Sequence, residues 1–260
     1  MARLLVSVRS VDEALLARNS GVDVIDVKEP SRGPLGQAES STWRAIRAVL
    51  PPNLPMSIAL GEWWEHPCGF STWDPSLSFS DYRKVGPARS ALFPEDYRDW
   101  AKQFWGPGWV AVAYADWSIA ESLPPLEILE QAITAGCSGF LIDTYGKTDR
   151  SPLKPTWRDL VRRGQEAGLF VAVAGGLSIE RIQALRGLRP DLFAVRGAAC
   201  ASGDRHGELD PSRLRALVQS VGRGSSGDES LVNELSPGSQ GRFQSCWDRV
   251  LRERSHAQPQ

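Results

Sequence analysis

Eight short apolar segments, seven of them followed by a segment of helical character, restrict the fold of this chain more than any other feature. Runs of Val, Ile, Leu and Ala predict strands, and apolar residues spaced three and four apart predict helices. The predicted strands are 4–8, 22–30, 55–62, 81–86, 109–117, 139–147, 169–177 and 192–200, and the predicted helices are 11–20, 41–50, 94–105, 126–136, 157–168, 178–188 and 210–221. Segment 63–80 has no helical period, so the third helix is expected to be irregular or replaced.

This alternation predicts a parallel sheet, because each helix returns the chain to the edge where the next strand begins. Eight strands and seven visible helices in 260 residues match a (β/α)8 TIM-type barrel, which typically needs about 250 residues. The alternative is an open doubly wound sheet, but no GxGxxG dinucleotide turn follows the first strand. We therefore expect a catalytic barrel domain over residues 1–221.

The composition changes after residue 221. The stretches GRGSSGDES and SPGSQG are typical of flexible linkers. A later piece places Phe243, Trp247, Val250 and Leu251 at helical spacing. Residues 222–260 are therefore predicted to be a flexible tail, whose amphipathic helix either docks on the barrel or a neighbouring subunit, or forms only transiently.

Charge and cysteine usage restrict the partners and the compartment. A net charge of −1 gives no electrostatic basis for binding nucleic acid or an anionic membrane. No apolar run approaches the roughly 18 residues of a membrane span, and the first apolar run is too short for a signal peptide. The cysteines and histidines show neither CxxC nor metal-ligand spacing. We expect a cytoplasmic protein with reduced thiols and with no metal or cofactor, and the sequence leaves open whether it forms a homo-oligomer.

The second predicted strand, VDVIDVKEP, carries two charged residues on one face. Alternate side chains of a strand share a face, so Val24, Asp26 and Lys28 point one way while Ile25 and Val27 point the other. Barrel enzymes keep their active sites at the carboxyl ends of the strands. Asp26 and Lys28 therefore form either a structural ion pair or a catalytic pair.

Further charged residues end other predicted strands: Lys84 on the fourth, Asp116 on the fifth, and Asp143 followed by Lys147 on the sixth. A lysine attacks a carbonyl only as the neutral amine, and its ordinary pKa of about 10.4 leaves almost none neutral at pH 7. Partial burial and neighbouring positive charge lower that pKa. We predict a Schiff-base site made of Lys28, Lys84, Lys147, Asp26 and Asp143. The alternative is a set of ion pairs at the barrel rim.

The seventh and eighth predicted strands end in Gly-containing turns, which predict a phosphate site. Barrels often bind phosphate between these loops through backbone N–H groups and a helix N-terminus, and glycine allows close approach. The predicted phosphate-binding residues are Gly175, Gly176, Arg196, Gly197 and Ala198. The alternative is a pair of plain loops. Arg205 either adds charge to this site or is a solvated surface residue.

Six motifs together resemble one known family: DVIDVKEPSRGPLG, DYRKVG, VAVAYAD, LIDTYGK, VAVAGGLS and FAVRGAAC. In this order they are similar to those of the (5-formylfuran-3-yl)methyl phosphate synthases of methanofuran biosynthesis, over roughly residues 4–221. The resemblance implies a (β/α)8 barrel that condenses two glyceraldehyde 3-phosphate molecules, a phosphosugar substrate, without a metal. It also implies that Lys28 is the Schiff-base lysine and Asp26 its acidic neighbour, that Lys84 is a second active-site lysine, and that Asp143 and Lys147 are the last acidic and basic pair.

Two other functions stay open on the sequence. One is a different Schiff-base aldolase or isomerase of phosphosugars that uses the same lysine and phosphate loops. The other is a barrel that binds a phosphorylated metabolite without catalysis and therefore tolerates the loss of Lys28.

Overall fold

The described part of the chain is built on eight parallel strands. The computed structural model describes residues 2–66, 75–146 and 157–222. The strands are β1 (Arg3–Val8), β2 (Val24–Val27), β3 (Met56–Glu62), β4 (Tyr82–Gly86), β5 (Val110–Tyr114), β6 (Gly139–Asp143), β7 (Phe170–Val173) and β8 (Leu192–Val195). They form one sheet in the order β4-β3-β2-β1-β8-β7-β6-β5. This order curls the sheet into a barrel and confirms the predicted (β/α)8 class.

The barrel closes between β4 and β5. These strands meet through an isolated parallel bridge between Arg83 and Trp109, where the backbone N–H of Arg83 donates to the Gly108 carbonyl at 2.9 Å. The other neighbouring strands pair through parallel ladders, such as the one that places Ser7 of β1 beside Asp26 of β2. Between β4 and β5 a single bridge takes the place of a ladder.

Helices cover the outside of the barrel. They are α1 (Val11–Asn19), α2 (Ser40–Val49), α3 (Pro94–Phe104), α4 (Pro125–Thr134), α5 (Arg158–Glu166), α6 (Ile179–Leu185) and α7 (Pro211–Gly222). Between β3 and β4 the described residues form only 3-10 turns, Trp63–Glu65 and Pro75–Phe79, in place of a helix. This confirms the expected irregularity, although residues 67–74 lie outside the described part. The predicted tail beyond Gly222 also lies outside it.

Several strands are shorter than predicted. The sixth was expected to reach residue 147 but ends at Asp143, the seventh ends at Val173, and the eighth ends at Val195. Apolar composition continues past the point where the backbone leaves the ladder, so composition alone placed these ends too late. The released residues form the loops at the mouth of the barrel, where binding residues are expected.

Two apolar layers hold these elements together. Inside the barrel, Val24, Val112 and Leu141 pack with their neighbours, while Ile25 and Val27 pack against the helices outside. The predicted division of faces on β2 is therefore confirmed. It leaves Asp26, which is 1% exposed, pointing into the barrel.

Two cysteines of the described residues, Cys137 and Cys200, are free and buried. Burial raises the pKa of the Cys137 thiol to about 12, which keeps it protonated and unreactive. Within the same ranges, no helix has the length and apolar character needed to cross a bilayer.

Candidate active site

A cavity of about 750 Å³ opens at the carboxyl ends of the strands, a size typical of small-molecule sites. All of the predicted site residues except Lys147 line it: Asp26, Lys28, Lys84, Asp143, Gly175, Gly176, Arg196, Gly197 and Ala198. Lys147 lies outside the described residues. The structure thus brings the predicted lysine and carboxylate cluster together with the predicted phosphate loops, and the roles of these residues stay predictions.

Asp26 and Lys84 form a buried ion pair at the floor of the cavity. The Ser7 hydroxyl donates to the other Asp26 oxygen at 2.9 Å, and the Lys84 ammonium also donates to Ser57 Oγ at 3.3 Å. Burial alone would raise the pKa of Asp26, but the charges of Lys84 and Lys28 outweigh it and hold that pKa below its ordinary value. Asp26 is therefore a carboxylate at neutral pH, and it fixes Lys84 in place.

Lys28 is held differently from Lys84. Its ammonium nitrogen donates to the Pro34 carbonyl at 3.3 Å, a neutral partner in the loop after β2. Burial lowers the pKa of Lys28, and the positive charges of Lys84 and Arg205 lower it further, while Asp143 and Asp26 oppose this. These surroundings favour the neutral amine of Lys28.

Asp143 ends β6 and is 7% exposed. Burial raises its pKa, and the positive charges of Lys28, Lys84 and Arg205 only partly offset this. Its Oδ1 accepts the Thr144 N–H at 2.7 Å. An acid with a raised pKa near an amine with a lowered one is suited to exchange a proton with it. Among the described residues, no group of three or more His, Cys, Asp and Glu side chains is placed to hold a metal ion.

Arg196, one of the predicted phosphate residues, has its side chain bonded within the protein. The guanidinium donates to both Glu13 oxygens at 2.7 and 3.0 Å and to the carbonyls of Ser7, Arg205 and Gly207 at 2.7 to 3.0 Å. These contacts occupy its five N–H donors. A contribution of Arg196 to phosphate binding would therefore come from its backbone, as the sequence argument supposed.

The phosphate loops have the backbone shape that their glycines allow. Gly175 and Gly176 lie at φ values of 103° and 58°, which other residues rarely adopt. A Cβ on Gly175 would lie 2.6 Å from Thr144, and one on Gly197 would lie 2.8 Å from the Gly203 carbonyl. The loops therefore keep their backbone close to the cavity.

Arg205, which the sequence left ambiguous, lines the cavity. Its Nη2 donates to the carbonyls of Pro30 and Gly33 at 2.8 and 2.5 Å, which ties the loop after β8 to the loop after β2. Its charge acts on both Lys28 and Asp143. The solvated alternative is therefore ruled out, because Arg205 is a cation of the cavity wall.

Asp116, a candidate strand-end carboxylate, supports the loop after β6. Its two oxygens accept the backbone N–H groups of Tyr145 and Gly146 at 2.8 and 2.7 Å. This arrangement fixes the loop that leads toward Lys147.

The sequence patterns did not predict one carboxylate of the barrel interior. Glu62, at the end of β3, accepts a hydrogen bond from the Tyr114 hydroxyl at 2.6 Å. Strict alternation along β3 would place Glu62 on the outer face, but the register between β3 and β4 shifts between Ala59 and Glu62. Gly61, at a φ of 84°, was the available signal, because a glycine inside a strand often marks a bulge.

Solved structures share the fold at low identity. The phosphoribosylanthranilate isomerase of Thermotoga maritima superposes with a TM-score of 0.56 at 16% identity, covering 85% of this chain and 98% of that chain. A protein named KGPDC from Streptococcus mutans gives a TM-score of 0.53 at 17% identity, covering 85% and 97%. At these identities the similarity shows the barrel alone.

Sequence relatives are more informative. The (5-formylfuran-3-yl)methyl phosphate synthase of Methanococcus maripaludis strain S2 is 31% identical over 230 residues, 83% of this chain and 98% of the relative. The protein of that name from Methanosarcina acetivorans is 28% identical over 235 residues, 83% of this chain and 97% of the relative. The family model described as 4-HFC-P synthase matches residues 4–218, which include every predicted site residue. The chain therefore belongs to the 4-HFC-P synthase family.

Proposed function

We propose that this chain is a carbon–oxygen lyase that condenses two glyceraldehyde 3-phosphate molecules to (5-formylfuran-3-yl)methyl phosphate. The reaction releases phosphate and water. It takes place in the cytoplasm and serves methanofuran-type cofactor biosynthesis. Family membership supports the product, since the relatives carry the name of this synthase. The two predicted halves of the site, lysines and phosphate loops, share one cavity, as a phosphorylated aldehyde requires.

The contrast between the two lysines is the observation that carries the mechanism. Lys84 is in a buried ion pair with the Asp26 carboxylate. Lys28 is bonded to the Pro34 carbonyl, and its pKa is lowered by burial. Lys28 is therefore the nucleophile, because an imine forms only from a neutral amine.

The steps follow from this assignment. The Lys28 amine attacks the substrate aldehyde, and Asp143 donates the proton with which the carbinolamine loses water. The resulting iminium withdraws electrons from the neighbouring C–H bond, so that a base can remove that proton and leave an enamine. The enamine carbon forms the new bond to the carbonyl of the second substrate. Elimination of one phosphate, ring closure with loss of water, and hydrolysis of the imine then complete the furan aldehyde and free Lys28. The Lys84 ammonium, positioned by Asp26, stabilises the oxygen that becomes negative there, and Lys147 assists proton transfer.

Borohydride trapping tests this assignment. Reduction in the presence of glyceraldehyde 3-phosphate should leave a mass adduct on the peptide that contains Lys28. Lys28→Arg keeps a cation but cannot form the imine, so it should be folded and inactive. Lys102→Arg, at an exposed lysine of α3 paired with Asp99, is the matched control and should keep full activity.

Product analysis separates the alternatives. A furan product absorbs in the ultraviolet, whereas the product of an aliphatic aldol reaction does not, and mass spectrometry identifies either. An adduct on Lys84 would transfer the nucleophile's role to that residue. Full activity of Lys28→Arg would refute the Schiff-base mechanism, and binding without turnover would favour the non-catalytic alternative.

A further inference from the structure

The buried carboxylate of Glu62 is outside the mechanism above, yet the fold makes several accommodations for it. The extra residue in β3 turns Glu62 into the barrel beside Gly86 of β4. A Cβ on Gly86 would lie 2.1 Å from Glu62 Oε2, so only glycine leaves room for the carboxylate. Gly61, the glycine of the bulge, lies at a φ of 84°, which residues with a side chain rarely adopt.

Two hydrogen bonds hold the carboxylate in this position. The Tyr114 hydroxyl donates to Oε1 at 2.6 Å, and the backbone N–H of Ala88 donates to Oε2 at 3.0 Å. Tyr114 is fully buried, and burial together with the charge of Glu62 raises the pKa of its phenol well above the ordinary value. Tyr114 therefore stays protonated and keeps donating its hydrogen bond to Glu62.

This pair lies next to the proposed acid of the reaction. Tyr114 on β5 is directly opposite Asp143 on β6 in the parallel register. The negative charge of Asp143 acts on Glu62 and on Tyr114. A change in the charge of Glu62 therefore changes how strongly Asp143 holds its proton, and the charge of Asp143 in turn raises the pKa of Lys28.

We propose that Glu62 and Tyr114 form an internal proton-holding pair that sets the protonation of Asp143, so that Glu62 is a positioning residue for the chemistry at Lys28. The inference rests on the proposed function only where it says that the chemistry at Lys28 is imine formation with a phosphosugar. The geometry of the pair, the bulge that forms it and its coupling to Asp143 do not depend on the substrate.

The charge of Glu62 changes in the physiological pH range. Its pKa is raised to about 7 in all: burial raises it most, the charges of Glu65 and Asp143 add to this, and the hydrogen bonds from Tyr114 and Ala88 oppose it. The Tyr97 phenol of α3 also faces Glu62 and is neutral. Lys84, on β4 between β3 and β5, is already paired with Asp26. Above about pH 7, ionised Glu62 strengthens proton binding at Asp143, and a protonated Asp143 no longer raises the pKa of Lys28.

Glu62→Gln tests this without removing the hydrogen bonds. The Gln carbonyl can accept from Ala88 and its amide can donate to the Tyr114 oxygen, so the variant is a permanently uncharged form. The readout is the pH dependence of Lys28 labelling by a small amine-reactive reagent, followed by peptide mass spectrometry. Without the Glu62 charge, Asp143 holds its proton less strongly and its carboxylate raises the pKa of Lys28, so the labelling midpoint should rise by on the order of one pH unit, the effect of one nearby charge at intermediate dielectric.

Stability provides a second readout. A carboxyl whose folded pKa is raised contributes stability that is complete below its unfolded pKa and is lost as pH rises through the folded pKa. Wild type should therefore lose stability relative to Glu62→Gln between about pH 4.5 and 7. Tyr97→Phe, which removes another buried phenol hydroxyl, is the control and should leave the labelling midpoint unchanged.

Each outcome decides the inference. An unchanged Lys28 midpoint in Glu62→Gln would overturn it, even if the stability difference appears, because Glu62 would then hold its proton without affecting the site. A shift of the same size in Tyr97→Phe would also overturn it. Lack of turnover with glyceraldehyde 3-phosphate would refute only the proposed function, since neither readout needs turnover.

Discussion

The buried contact between Arg196 and Glu13 should support both the fold and the phosphate loop. It joins the end of β8 to α1, and the two side chains are 3% and 9% exposed. Arg196→Met keeps most of the side-chain volume but removes all five donors. Breaking a buried ion pair typically costs about 3–5 kcal/mol, because the remaining charge is left without its partner.

The lower end of that range applies here. The Glu13 carboxylate still accepts hydrogen bonds from the Arg9 backbone N–H at 2.9 Å and from the Arg9 guanidinium at 3.3 Å, so it is not left without a partner. We expect Arg196→Met to lose about 3 kcal/mol of unfolding free energy. For a domain of this size that corresponds to a fall of roughly 6–12 °C in Tm. Urea and thermal denaturation, followed by circular dichroism, measure both.

A double-mutant cycle isolates the pair. Glu13→Gln combined with Arg196→Met leaves neither charge unpaired, so the double variant should be less destabilised than the sum of the single variants. Arg162→Met is the control, because its pair with Glu166 is exposed on α5 and is worth about 0.3–0.5 kcal/mol. If Arg196→Met costs no more than Arg162→Met, or the cycle shows no coupling, the contact does not support the fold as argued.

Two further predictions concern the cavity wall and the tail. Arg205→Met should raise the KM for glyceraldehyde 3-phosphate about tenfold or more, since it removes a positive charge from the wall of the cavity in which we expect the phosphate to bind. The same positive charge lowers the pKa of Lys28, so that pKa should rise in the variant and the low-pH limb of activity should move to higher pH. The control is Arg215→Met, at an exposed residue of α7, which should change neither the KM nor the pH profile. A chain truncated after Gly222 should fold and keep its activity, because α7 ends there and the family match ends at residue 218; insoluble or inactive truncated protein would show that the tail belongs to the core or to an obligate interface.

Local sequence patterns were sufficient for the barrel and for the face of its second strand. Period-two alternation placed Asp26 inside the barrel and Ile25 outside, because a strand offers only two faces and apolar neighbours identify the packed one. The order of strands and helices predicted the parallel barrel, and the strand ends predicted one shared mouth. Lys28, Lys84 and Asp143 therefore line one cavity, although they are far apart in the chain.

The partner of each charged group was decided only by the tertiary structure. Nothing local distinguishes Lys84, paired with Asp26, from Lys28, bonded to a carbonyl, because both partners depend on how strands and loops meet. The guanidinium of Arg196 reaches Glu13 across 183 positions of sequence. Glu62 shows the same limit, since a bulge of one residue reverses the face that alternation assigns. Charge states depend on these long-range contacts and on burial, and both exist only once the barrel has closed.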